Sequence, residues 1–178
     1  VCKVFNKVSG KFEESSSCSY TWRKDGRPIT IATYGDETNI THYEYDEEGK
    51  ISSIKYTVIK DNISTTKYTD KDGQILKTEV TTEEPSSEVD SKGKQKDSTY
   101  TTVTKNSDGK IISEKVSTPI YFQLKPDGFD EPIEWKHFQI EIKEYDNEGH
   151  LTKHTLEKPV QEWDSEKRQA KTVIENLM

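Results

Sequence analysis

The residues of this chain with acid-base or metal-binding potential are four histidines, His42, His137, His150 and His154, and a dense population of carboxylates. His150 and His154 stand four apart. On a helix they would share a face and could share a metal. Gly149 just before them favours a turn leading into a strand, where four residues span roughly 13 Å, too far for one ion. The run Asp70-Lys71-Asp72-Gly73-Gln74-Ile75, with Glu79 beyond it, matches the middle and the closing position of a calcium loop. Tyr68 stands where the first Asp of such a loop belongs, and the flanks have strand character rather than helical character. No Gly-x-Ser-x-Gly, no Gly-rich phosphate loop and no His-Glu-x-x-His is present. Carboxylate pairs occur throughout, so none is singled out as an acid and base. The expectation is therefore a protein that is not an enzyme, with no catalytic residues, no cofactor and no metal.

Two cysteines complete the inventory. Cys2 and Cys18 each lie eight residues from Gly10, within Lys7-Val8-Ser9-Gly10-Lys11, which reads as a hairpin turn. A hairpin reversing there would bring the two cysteines nearly opposite one another. A disulfide Cys2–Cys18 is expected, and with it an oxidising compartment: secreted, periplasmic or cell surface. Two free thiols are the alternative.

The elements that position these residues follow from glycine. Five stretches share one plan: Tyr20 to Ile29 around Gly26, Tyr43 to Ile51 around Gly49, Lys67 to Ile75 around Gly73, Thr104 to Ile111 around Gly109, and Tyr145 to Leu151 around Gly149. An Asp or Asn opens each of the last four and can accept amides two residues on. Gly supplies the positive φ of the turn. The aliphatic residue two after Gly is expected to return on the buried face, with the preceding aromatic packed across the strands. Aromatic, Thr and β-branched residues between the turns favour strands. Two segments break the plan. Residues 81–98 are rich in Glu, Ser and Lys and read as a hydrophilic loop. Pro119 to Pro132 holds a turn signal, Pro126-Asp127-Gly128, among aromatics.

The fold class predicted is mainly β: an antiparallel meander of repeated Gly-turn hairpins forming an extended or curled sheet, in a single domain over residues 1–178. At the end, Ala170, Val173, Ile174 and Leu177 recur at helical spacing, so a C-terminal helix is expected over 165–178. A last degenerate hairpin is the rival, because Glu162-Trp163-Asp164 echoes the start of the repeat.

Tyr43-Glu44-Tyr45-Asp46-Glu47-Glu48-Gly49-Lys50-Ile51 resembles the YD repeat of Rhs-type proteins, as does Ile142 to Leu151. The resemblance implies β-hairpins in an extended sheet and carries no catalytic residues. Such repeats occur in toxin shells, adhesion proteins and small secreted bacterial proteins.

Composition narrows the partners. Only 29% of the 178 residues are apolar and 33% are charged, and the mean hydropathy is -0.98. A thick two-layer core cannot be drawn from this, although 10% aromatics and the strong patterning argue for folding. The net charge of -7 argues against nucleic acid. No apolar run approaches the ~20 residues of a transmembrane segment. The function expected is a secreted or cell-surface binding protein that presents a Tyr/Thr-rich sheet to a protein or glycan partner. Tyr121, Phe122, Phe129, Trp135 and Phe138 form the candidate binding patch, or else the main core. A structural spacer within a larger YD-repeat assembly and a carrier of an apolar ligand are the alternatives. The sequons at Asn39 and Asn62 matter only in a secreting eukaryote.

Overall fold

The computed structural model of the chain describes residues 2–6, 11–15, 17–89, 93–124, 133–164 and 169–177. These residues are all β or connection. β1 (Cys2–Asn6) and β2 (Lys11–Ser15) pair as a two-stranded antiparallel sheet. Eleven strands follow: β3 (Ser17–Trp22), β4 (Pro28–Tyr34), β5 (Thr38–Tyr45), β6 (Ile51–Lys60), β7 (Ile63–Asp70), β8 (Ile75–Glu84), β9 (Thr99–Asn106), β10 (Ile111–Leu124), β11 (Ile133–Tyr145), β12 (Leu151–Asp164) and β13 (Gln169–Asn176). Each neighbours the strand before it, so the sheet is a meander that starts at β3, ends at β13 and does not close. The predicted antiparallel hairpin meander is what forms.

The turns carry it. The Gly49 amide donates to the Asp46 carbonyl at 3.0 Å, and the Asp46 amide donates to the Lys50 carbonyl at 2.9 Å. This is a three-residue loop in which Gly sits in the left-handed region and adds a bulge. Gly26, Gly49, Gly73, Gly109 and Gly149 all have φ between 78° and 90°. The opening carboxylate satisfies the amides that the turn strands. Asp70 Oδ1 accepts from the Asp72 and Gln74 amides, both at 2.9 Å, and Asp146 Oδ1 accepts from Glu148 and His150, both at 2.9 Å. The bulge shifts the register by one just before the turn. Trp22 consequently faces Pro28, Tyr45 faces Ile51, and Tyr145 faces Leu151.

Two expectations are corrected. The aliphatic residues after Gly do not return to a buried face: Ile51, Ile75, Ile111 and Leu151 are 36–41% exposed. Among the described residues only Ala32 and Phe122 are buried apolar side chains, because so apolar-poor a chain cannot supply a second layer. The C-terminal helix over 165–178 is instead the strand β13; residues 165–168 lie outside the described residues. A short unpartnered helix is marginal in water. The edge of β12 offers β13 a ladder in two stretches, with Lys158 opposite Val173 before an irregularity and Trp163 opposite Ala170 after it. In the first hairpin the register pairs Cys2 with Ser15, and Cys18 follows on β3. The hairpin turn, including Gly10, lies outside the described residues.

The chain divides into two compact units, Val1–Thr81 with Lys105–Gly109, and Thr82–Thr104 with Lys110–Met178. In the first, one face carries the cross-strand row Tyr20, Ile31, Thr41, Tyr56 and Lys67. The opposite face holds Ala32, Ile40, Thr57 and the buried Thr66, with Thr57 and Thr66 hydroxyls bonded at 2.9 Å. In the second unit, β10, β11 and β12 are the long strands, and Phe122, Ile120 and Trp135 form its apolar cluster.

The turn account predicts that Gly73→Ala, at φ 84° with open space around the added Cβ, costs about 1–2 kcal/mol from backbone conformation alone. Gly73→Asn should recover part of that, since Asn tolerates the left-handed region. Urea unfolding of both variants checks this. Equal stability of wild type and Gly73→Ala would remove the turn from its central place.

Candidate interaction site

The predicted aromatic patch is split by the alternation of β-strands. Tyr121 and Phe122 are adjacent on β10, so they project from opposite faces of the sheet. Phe122 is 7% exposed, faces Trp135 directly across the strands and packs with Ile120. This pair is core. On the other face Tyr121 stands opposite Lys136 and Phe138 opposite Pro119. Phe129 lies outside the described residues.

Tyr121 anchors the hydrophilic connection between β8 and β9. β8 runs through Glu84, so Thr81–Glu84 of the predicted loop are strand. Residues 85–89 and 93–98 fold into a small structure. Val89 bridges Gln95, the Lys96 amide donates to the Glu88 carbonyl at 2.9 Å, and Gln95 Nε2 donates to the Ser86 carbonyl at 2.6 Å. At its base the buried Ser98 hydroxyl donates to Glu83 at 2.5 Å. The return arm then meets β10. The Tyr121 hydroxyl donates to Asp97 Oδ2 at 2.6 Å and accepts from the Asp97 amide at 2.9 Å. Lys136 Nζ lies 3.2 Å from Asp97 Oδ1, and the Lys96 ammonium sits 5.1 Å from the centre of the Tyr121 ring. Between the loop and β10 a cleft of about 340 Å³ opens, lined by Glu84, Ser86, Ser87, Glu88, Lys96 and Tyr121 among others.

Protonation follows these contacts. The Tyr121 hydrogen bond, followed by Lys136, holds the Asp97 carboxyl below the usual carboxylate range. The same bond pushes the Tyr121 phenol up. The hydrogen bond from Lys96 lowers Glu88, and the reciprocal bond raises Lys96.

The first unit holds a surface that sequence reading did not single out. Tyr20 and Trp22 stack with ring centroids 5.8 Å apart and planes 17° off parallel, yet they remain 42% and 56% exposed. Tyr43 and Tyr56 share this face, with the Tyr56 hydroxyl donating to Asn39 at 2.7 Å. Tyr-x-Trp at period two was legible as one face of a strand; what the sequence did not show is how much of the stacked pair stays exposed.

The residues weighed for metal chemistry have other partners. Asp70 closes its own turn, and Glu79 accepts from Tyr68 at 2.6 Å and from Lys77 at 2.8 Å. Burial first, then this hydrogen bond, pushes the Tyr68 phenol up to about 12. His154 bonds Glu141 at 2.8 Å, whereas His150 bonds Asp146 at 3.2 Å. Asp146, Glu148 and His150 bring ligand atoms within 4.8 Å on an exposed turn. Both Asp146 oxygens are already engaged there, by the turn amides and by the imidazole. No helix among the described residues is long and apolar enough to cross a membrane. No family model matches the chain, and no curated protein matches it.

The Tyr121–Asp97 contact gives a pH prediction. A lowered Asp97 stabilises the docked loop above the ordinary carboxylate value of 3.8, and that contribution fades as pH falls through the lower folded value. A raised Tyr121 stabilises below 10.0, and its contribution fades as pH rises through the higher folded value. The protection factor of the Asp97 amide, its exchange rate divided into the intrinsic rate at the same pH, should therefore be high and level between these limits and fall outside them. Tyr121→Phe should abolish the protection at neutral pH; unchanged exchange in that variant would mean the loop is held by other bonds.

Proposed function

We propose that the chain is a non-catalytic binding protein of an extracytoplasmic or cell-surface setting, offering the Tyr/Thr face of its sheet to a glycan or protein partner. The observation that carries this reading is the stacked, solvent-facing pair Tyr20–Trp22. About half of each ring remains exposed, and burying that area against a partner would add transfer free energy that folding has not used. Tyr and Trp bring wide contact area on few rotatable bonds, which is why they dominate binding hot spots. The flanking Thr41 and Tyr56 add hydroxyls at the same level.

The Asp-to-Gly turns with their Tyr–aliphatic pairs support the YD-repeat resemblance of the copies at Gly49 and Gly149. In that setting the sheet is a scaffold for contact and catalysis is not its task.

An oxidising location goes with a Cys2–Cys18 disulfide. Its support is that Cys18 is bonded and no free cysteine occurs among the described residues. Closing a loop of this length stabilises by about 3 kcal/mol on the chain-entropy account. Alkylation of the unreduced, denatured protein should add no label, and reduction should expose two thiols. Two labels without reduction would exclude the bond.

The binding reading is tested by offering the immobilised chain to arrays of glycans and of extracellular protein domains, in parallel with Trp22→Ala. A hot spot of about 2 kcal/mol predicts a roughly thirtyfold loss of affinity in the variant. Ligands that bind both proteins equally would detach the function from this face.

A further inference from the structure

We propose that the cleft between the 85–98 connection and β10 is a binding site for a neutral saccharide, either a free mono- or disaccharide or the terminal residue of a glycan. This rests on the glycan half of the reading above but assigns the contact to residues of the second unit, a set that does not include Tyr20 or Trp22.

The walls of the cleft are hydroxyls and carboxylates: Ser86, Ser87, Glu84 and Glu88 on one arm, Thr99 and Thr118 beyond. Pro85, Pro119 and Tyr121 supply its apolar surface. Hydroxyl-rich rings are recognised by that combination, polar acceptors around the rim and an apolar surface against the C–H face. The volume of about 340 Å³ falls at the small end of ligand pockets.

Charge selects within the polar ligands. Glu88 is paired with Lys96 at 2.7 Å, and Asp97 with Lys136 at 3.2 Å. These ion pairs cancel most of the local field, which leaves Glu84 as the excess charge. An anion is repelled by that carboxylate, and a cation gains little from pairs already satisfied. A neutral polyol meets acceptors and donors without displacing either pair.

The site is also preformed. The Gln95–Ser86 and Lys96–Glu88 hydrogen bonds tie the two arms to each other, Ser98–Glu83 ties the base to β8, and Asp97–Tyr121 ties the return arm to β10. Ordering was therefore achieved in folding and is not charged to binding.

The test is saturation-transfer NMR on the full chain with a panel of neutral mono- and disaccharides. Wild type and Trp22→Ala should both transfer saturation to at least one sugar, with affinity independent of salt. Ser87→Trp, which fills the mouth of the cleft, should weaken it by about tenfold or more. Unchanged amide shifts of Glu83 and Ser98 in that variant confirm that the loop base is intact. Should some sugars bind only as part of a glycan, terminal attachment is the relevant form and the Ser87→Trp loss should persist on a glycoprotein. Binding lost in Trp22→Ala and kept in Ser87→Trp would overturn the cleft while leaving the sheet-face reading standing. No neutral saccharide binding to wild type, or binding confined to charged sugars, would overturn the cleft as well.

Discussion

The structure depends on a carboxylate folded back over its own turn. At Asp46, Asp70 and Asp146 the side-chain oxygen takes the amides that a tight reversal leaves unbonded, and Gly three residues later takes the backbone conformation that no Cβ favours. The one-residue bulge that results determines which aromatic meets which aliphatic side chain across the strands. In a meander the register of each hairpin sets the face on which every later side chain appears, and a slip of one residue would invert them all. Turn chemistry thus does for this sheet what a hydrophobic core does for most domains.

A core could not do it. With Ala32 and Phe122 the buried apolar side chains among the described residues, cohesion is spread over short polar contacts between neighbouring strands. Thr30 and His42 lie 3.0 Å apart, Ser53 donates to Glu44 at 2.5 Å, and Tyr68 sits between the Lys77 and Lys55 ammoniums while bonded to Glu79. Each such bond contributes only about 0.5–1.5 kcal/mol net, and less where solvent screens it. Their number along long strands matters more than any one of them. The same economy leaves tyrosine and tryptophan rings at the surface, where they are available to a partner.

The 85–98 connection shows how a polar segment acquires structure without burial. Its residues are almost all hydrophilic, yet hydrogen bonds join residues 85–89 to 93–98 and the Tyr121 hydroxyl ties Asp97 to β10, leaving a cleft lined by polar side chains. Tyr121 therefore has a positioning role that its membership of an aromatic cluster does not reveal. Its neighbour Phe122, one residue along, is core.

The sequence by itself determined the hairpins. Asp, Gly and the aromatic act within five or six residues of each other, and their geometry needs nothing distant. It also determined that apolar area is scarce, because composition limits it whatever the topology. Tertiary structure alone decided the end of the chain and the fate of the aromatic patch. Ala170, Val173, Ile174 and Leu177 fit a helical face, yet residues 169–176 became a strand because the unpaired edge of β12 was there to receive them. Tyr121 and Phe122 look like one patch in the sequence and parted because a strand sends neighbours to opposite sides. The partner of Tyr121 is Asp97, 24 residues away in the chain, and no local rule relates the two. Short-range chemistry can be read along a chain; contacts made across it exist only once the strands have found their register.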